Sequence, residues 1–201
     1  MLSTPSDDCA APSLPGQAEG LGVAFVDVEA SGLGPYSWPI EIGWGFHGHE
    51  PRSVLVRPHE SWSMQAWEKP AEILHRISPD ELVAGGRTAL EVALGLNAAL
   101  ADAEVYSDAP DYDSFWLYRL YDAAGVRPSY RLRDLGDLLR PLWDGAPDAL
   151  VRRAERVAPH THRAAADVRH LQTMYEIALR TRTQDDQRPD DEGPDSQEPG
   201  G

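Results

Sequence analysis

Residues 21–29 read Leu-Gly-Val-Ala-Phe-Val-Asp-Val-Glu, apolar on both parities until the end of the run. Such a segment predicts a central strand buried on both faces of a sheet. Residues 40–46 and 53–56 predict two further strands, with turn residues around Gly48 and Pro51 between them, and short loops joining the three predict an antiparallel meander. The period then changes. Residues 71–77 predict a short helix, and Thr88-Ala-Leu-Glu91 is a capping-box pattern that opens a helix reaching to about Leu100. A short strand is predicted over 104–107. Residues 111–124 carry Phe115, Trp116, Leu120 and Ala123 at helical spacing, with Gly125 as the stop, and 130–133 predict a fifth strand. The last helix is predicted to start near His162, with Ala165, Val168, Leu171, Met174, Tyr175 and Ala178 on its inner stripe. A meander followed by alternating helices and short strands predicts a mixed α/β sheet domain.

Composition narrows the class. The 201 residues are 41% hydrophobic and 25% charged, which suits one ordinary domain with a sizeable core. No stretch approaches the roughly 18 consecutive apolar residues of a membrane span, and residues 1–20 have neither a basic start nor an apolar run. Neither membrane attachment nor secretion is expected, and the cytoplasm is the expected location. The single cysteine, Cys9, has no partner for an internal disulfide, and a zinc site built on thiolates lacks its ligands.

The net charge of −15 is unevenly spread. From Gln184 to the end, seven acids stand against Arg188, so that segment alone holds −6; rich in Gly and Pro and without large apolar residues, 184–201 is expected to be a disordered tail. Residues 1–20 are expected to be an equally unstructured leader, leaving a domain over 21–183 that is still acidic. A nucleic-acid binder that relied on phosphate neutralisation alone would be basic, so metal ions and a local patch would have to supply the positive charge.

Four segments can carry chemistry. Asp27 and Glu29 lie two apart on a strand and leave the same face, where two carboxylates either hold a hard cation such as Mg²⁺ or Mn²⁺ or simply meet water at the strand's end. Ala30-Ser-Gly-Leu33 follows at once, either as a plain turn or as a close-approach segment whose Leu33 wedges against a base or sugar. Asp108 and Asp111 read as helix caps, while Asp113 is set one turn into the helix, within reach of a metal. In His162-Arg-Ala-Ala-Ala-Asp167 a histidine on a helix entry precedes a carboxylate one turn in, so a proton acceptor and a metal ligand face one region; alternatively His160 and His162 are solvated loop residues.

Taken in order, Asp27-x-Glu29 with Ser-Gly-Leu, Tyr112-Asp113-x-x-Trp116-Leu117 and His162-Arg-Ala-x-x-Asp167 resemble the three motifs of the DEDDh exonucleases. That family includes the proofreading subunit of bacterial DNA polymerase, ribonuclease T and oligoribonuclease, and Ile40-Glu-Ile-Gly43 looks like its second strand. The resemblance implies a ribonuclease H-like fold, a mixed five-stranded sheet flanked by helices. It implies Asp27, Glu29, Asp113 and Asp167 as ligands for two Mg²⁺ or Mn²⁺ ions, and His162 as general base. The implied reaction is release of nucleoside 5′-monophosphates from the 3′ ends of single-stranded RNA or DNA. RNA is slightly favoured, because the chain looks closest to the small bacterial exoribonuclease branch. The implied substrate contacts are Ala30, Ser31, Leu33 and Arg163, and a homodimer is compatible with the resemblance. Two departures stand out: Ala30-Ser31 replaces the common Thr-Thr or Thr-Ser, and Asp108-Ala109 replaces His-Asn. The rival expectations are a structure-selective endonuclease on the same fold and a metal-binding interaction module without turnover. Lys69 is the only lysine among 18 basic residues, and Arg152, Arg153, Arg156 and Arg163 cluster before the third motif, either as phosphate contacts or as a solvated helix face.

Overall fold

The first strand, β1 (Val23–Ala30), pairs on one side with β2 (Pro39–Phe46) and on the other with a later strand, so its backbone is satisfied on both edges. This is a computed structural model, and it describes residues 22–186. β3 (Arg52–Leu55) completes the antiparallel meander. A 3₁₀ turn (Met64–Ala66) and three helices follow: α1 (Lys69–His75), α2 (Pro79–Gly85) and α3 (Ala89–Leu100). Then come β4 (Glu104–Ser107), α4 (Pro110–Ala124), β5 (Leu132–Asp134), α5 (Leu135–Leu139), α6 (Pro147–Glu155) and α7 (Ala164–Asp186). The sheet is a mixed α/β layer of five strands in the order β3-β2-β1-β4-β5, with β4 and β5 parallel to β1.

Both parities of β1 are apolar because both faces are covered. Ala24, Val26 and Val28 pack with Leu96 and Leu100 of α3 and Trp116 and Leu120 of α4. Phe25 faces the other way, onto Leu150 of α6 and Leu171 and Met174 of α7. Asp27 and Glu29 continue the Phe25 face, just where α7 begins.

Several ends are moved by local chemistry. The Thr88–Glu91 capping box opens α3 as expected, and α4 stops at Gly125, whose φ of +66° continues the chain without a Cβ clash. The helix expected over 71–77 starts two residues earlier, with Pro70 in its first turn, and ends at Arg76 in the left-handed region. Tyr130 is not in a strand: its ring packs against Tyr121, and β5 starts at Leu132. Two short helices, α2 and α5, have no counterpart in the sequence pattern, although Ser78 and Glu81 form a complete capping box at the start of α2, while α6 carries Arg152 and Arg153 on the solvated helix face that was one reading of them. α7 begins at Ala164, two residues after His162, which has a left-handed φ of +56°; Ala164, not Ala165, is the buried apolar residue of its first turn. The helix runs to Asp186, past the boundary at 183 drawn from composition. The leader and the rest of the tail lie outside the described residues. Among the described residues no helix is long and apolar enough to cross a membrane.

Candidate active site

Antiparallel pairing sets Asp27 opposite Gly43 and Glu29 opposite Glu41. Gly43 lets α7 come down onto the sheet: a Cβ there would lie 2.4 Å from the carbonyl oxygen of Ala164. The first turn of α7 therefore sits directly over the strand pair, and Asp167 reaches the acids of β1. One carboxylate oxygen from each of Asp27, Glu29 and Asp167 lies within 4.8 Å of the others. Asp113, in the first turn of α4, is buried beside them and accepts a hydrogen bond from the Ser107 hydroxyl. All four acids line one cleft of about 370 Å³, together with His162.

The acids are out of water and near one another, and their protonation reflects it. Burial pushes the Asp27 carboxyl well above the usual carboxylate range, and Asp113, Glu29, Asp167 and Asp108 push it the same way. Burial, then Asp167, Glu41 and Asp113, drive Glu29 up to about 8 against an opposing pull from Arg163. Burial takes Asp113 up to about 7 even though Ser107 and the Val28 backbone stabilise its charged form. Among the described residues, Asp27 Oδ2 and Asp167 Oδ2 are buried oxygens that accept no hydrogen bond. Buried carboxylate oxygens without donors are the kind of group that a bound cation would satisfy.

Glu41 holds the α7 side of the site in place. Its carboxylate accepts from Arg163 Nε (3.0 Å), Arg163 Nη2 (3.2 Å), the Ala164 backbone N–H (3.1 Å) and the Ser53 hydroxyl (2.7 Å). Burial alone would raise Glu41, but these hydrogen bonds outweigh it and hold the carboxyl below its ordinary value. One turn further, Asp167 Oδ1 accepts from Thr161 N at 2.8 Å, which ties the entry of α7 to its first turn. His162 is exposed at that entry and lines the cleft.

The expected substrate contacts divide. Leu33 is 70% exposed at the cleft's mouth, and buried Ala30 lines its wall. Ser31 does not face the cleft with a free hydroxyl: it is fully buried, donating to Ala66 O (3.2 Å) and accepting from Trp38 N (3.1 Å), so it fastens the loop instead. Arg163 is likewise spent on Glu41 and is absent from the residues that line the cleft. Arg153 lies over the Trp143 ring at 5.1 Å, and neither it, Arg152 nor Arg156 lines the cleft. Arg152 and Arg153 are exposed on α6, Arg156 caps it, and Arg163 is tied to Glu41.

Three contributors escaped sequence reasoning. Glu68 fastens the loop after β1, accepting from Gly34 N at 3.0 Å and donating its own backbone N–H to Ser31 O at 2.7 Å. His75 ends α1 as a buried cleft residue; its Nδ1 accepts from Ile77 N, which leaves the proton on Nε2, where the described residues offer no acceptor. Burial lowers its basicity. Glu41 carried the one available signal, an acid inside an otherwise apolar strand.

No protein-family model matches the sequence, and no curated protein matches it. Solved structures do. E. coli exonuclease I in complex with a dT13 oligonucleotide superposes with a TM-score of 0.62 at 17% identity, over 84% of this chain and 42% of that one. A second exonuclease I structure, reported as suggesting how processivity is achieved, gives 0.63 at 17%, and the apo form gives 0.61 at 18%. This chain spans less than half the length of those proteins. At such identity the likeness is one of fold: the chain has the mixed five-stranded, ribonuclease H-like architecture of the exonuclease I chains.

Proposed function

We propose that the protein is a metal-dependent 3′–5′ exonuclease of the DEDDh type that releases nucleoside 5′-monophosphates from single strands. The observation that carries this reading is the meeting of Asp27, Glu29 and Asp167 oxygens within 4.8 Å, with Asp113 beside them. The donor set fits the ions it calls for: all are carboxylate oxygens, suited to Mg²⁺ or Mn²⁺, and two of them are buried without a hydrogen bond. Asp27, Glu29, Asp113 and Asp167 would hold two such ions, which when bound supply Lewis-acid charge at a phosphate and make water a better nucleophile.

The chain's own residues supply the rest. His162, exposed at the entry of α7, accepts the proton of the attacking water on a ring nitrogen. Water oxygen bonds to phosphorus, the P–O3′ bond breaks, and the departing 3′ oxygen is protonated, leaving a 3′ hydroxyl on the shortened strand. Leu33 and Tyr112, both exposed at the cleft, give the terminal nucleotide apolar surfaces to rest on, Tyr112 backed by Trp116 in a stacked pair at 5.6 Å. RNA is the slightly favoured substrate on the motif resemblance, whereas the structural neighbour was solved with a DNA oligonucleotide.

The test is release of labelled mononucleotide from matched single-stranded RNA and DNA with Mg²⁺ or Mn²⁺, with a circular single strand as control. Mononucleotide from linear strands alone supports the reading. Cutting of the circle would make the protein an endonuclease, and no product at any enzyme concentration would make it a binding module.

A further inference from the structure

We infer that His160, His162 and Asp167 form a second metal site, which takes a borderline-soft dication such as Zn²⁺ and shares only Asp167 with the all-oxygen site. One nitrogen from each imidazole and one Asp167 oxygen lie within 4.8 Å of one another. His160 Nδ1 stands 3.5 Å from Asp167 Oδ2, long for a hydrogen bond yet close to the about 3.3 Å edge of a tetrahedron with zinc–ligand bonds near 2 Å. That same oxygen is buried and accepts no hydrogen bond among the described residues, while Asp167 Oδ1 is fixed by Thr161 N. The carboxylate is thus oriented with its free oxygen toward His160.

His160 is held rather than loose. Its backbone N–H donates to Glu155 Oε2 at 3.2 Å, and its ring meets the buried His170 edge-on at 5.2 Å. His170 is itself pinned, Nδ1 to Ala158 O, at 2.7 Å. An imidazole braced by its surroundings loses little freedom on taking up a metal. His162 lies edge-on to His160 at 5.7 Å and is exposed, so it can close the remaining distance.

The donor chemistry separates the two sites. Two imidazoles and one carboxylate suit Zn²⁺ or Co²⁺ and leave a fourth position for water, whereas the carboxylates of Asp27 and Glu29 suit hard ions. Zn²⁺ at the histidine site occupies the nitrogen of the general base and an oxygen that the hard ions need. It therefore inhibits hydrolysis; only this consequence rests on the nuclease reading.

The test titrates the full chain with Co²⁺ and follows the visible ligand-field bands. Expected are bands of four- or five-coordinate intensity saturating at one equivalent, displaced by Zn²⁺ and not by millimolar Mg²⁺. They persist in Asp27→Ala, and both His160→Ala and His160→Gln bind Zn²⁺ at least about tenfold more weakly. The rise in melting temperature on adding Mg²⁺ is unchanged in both His160 variants, as is their hydrolysis in Mg²⁺ alone, and Zn²⁺ inhibits them only at correspondingly higher concentration. Equal Co²⁺ bands in wild type and the His160 variants, or only weak six-coordinate bands, would overturn the site. Wild-type protein that binds Zn²⁺ as described but releases no mononucleotide would overturn the nuclease reading and leave this site standing.

Discussion

Arg163 and Glu41 join the start of α7 to the middle of β2 through two hydrogen bonds, from Nε to Oε2 at 3.0 Å and from Nη2 to Oε1 at 3.2 Å. The carboxylate is buried while the guanidinium is about half exposed. Removing Arg163 leaves a buried acid short of donors, and removing the acid leaves the Ala164 N–H and the Ser53 hydroxyl without their acceptor. Arg163→Ala and Glu41→Gln should each cost about 1–3 kcal/mol in urea unfolding. The double variant should cost less than the sum of the two, since the Arg163–Glu41 pair is lost in both. Because the pair positions Asp167 and His162 and does not touch the cleft, Arg163→Ala should lower turnover more than it raises the Michaelis constant.

Stability should depend on pH in a direction set by the cleft. Glu29, raised to about 8, and Asp113, raised to about 7, keep protons in the folded chain that the unfolded chain releases near its ordinary carboxyl range. Their contribution is therefore fully present at low pH and is lost as pH climbs from about 4 through 8. Melting temperature measured in chelator should fall across that window. With millimolar Mg²⁺ the fall should shrink or vanish, because the ion takes the place of the protons, and calorimetry near neutral pH should detect proton release on Mg²⁺ binding.

Asp27→Ala removes one of several mutually repelling carboxyls. Turnover should disappear, while the melting temperature in chelator stays level or rises and the stabilisation by Mg²⁺ drops. Full activity in this variant would discard the two-ion mechanism.

His162→Asn should slow hydrolysis by about two to four orders of magnitude, the usual scale of a lost general base, with Mg²⁺-induced stabilisation retained. Loss of that stabilisation would instead make His162 essential for holding the hard ions.

Gly43→Ala tests the seat of α7. The added methyl meets backbone atoms of Ala164 that cannot swing aside, so the helix start must lift, at about 1–3 kcal/mol. Mg²⁺ binding should weaken with it, although residue 43 offers no ligand.

The central strand and the two residues that project from its end were readable because burial on both faces removes polar residues from every position except Asp27 and Glu29. The capping box at Thr88 and the stop at Gly125 were readable because each depends on neighbours within four residues. Glu41 and Arg163 were not, since their meaning lies in a partner 122 positions away. The hydroxyl of Ser31, which the resemblance implies as a substrate contact, is held by Trp38 and Ala66, contacts that a local reading of the sequence does not contain. The short helix α5 buries only Leu135 and Leu139, too few side chains to leave a periodic trace.

The positive φ of His162 sets chemistry against durability at a single position. A side chain with a Cβ costs roughly 1 kcal/mol in that backbone region, and glycine or asparagine would sit there more comfortably. Variants chosen for heat resistance alone would therefore be drawn toward replacing this histidine, and a stabilised version obtained that way would be expected to lack the general base of the proposed reaction.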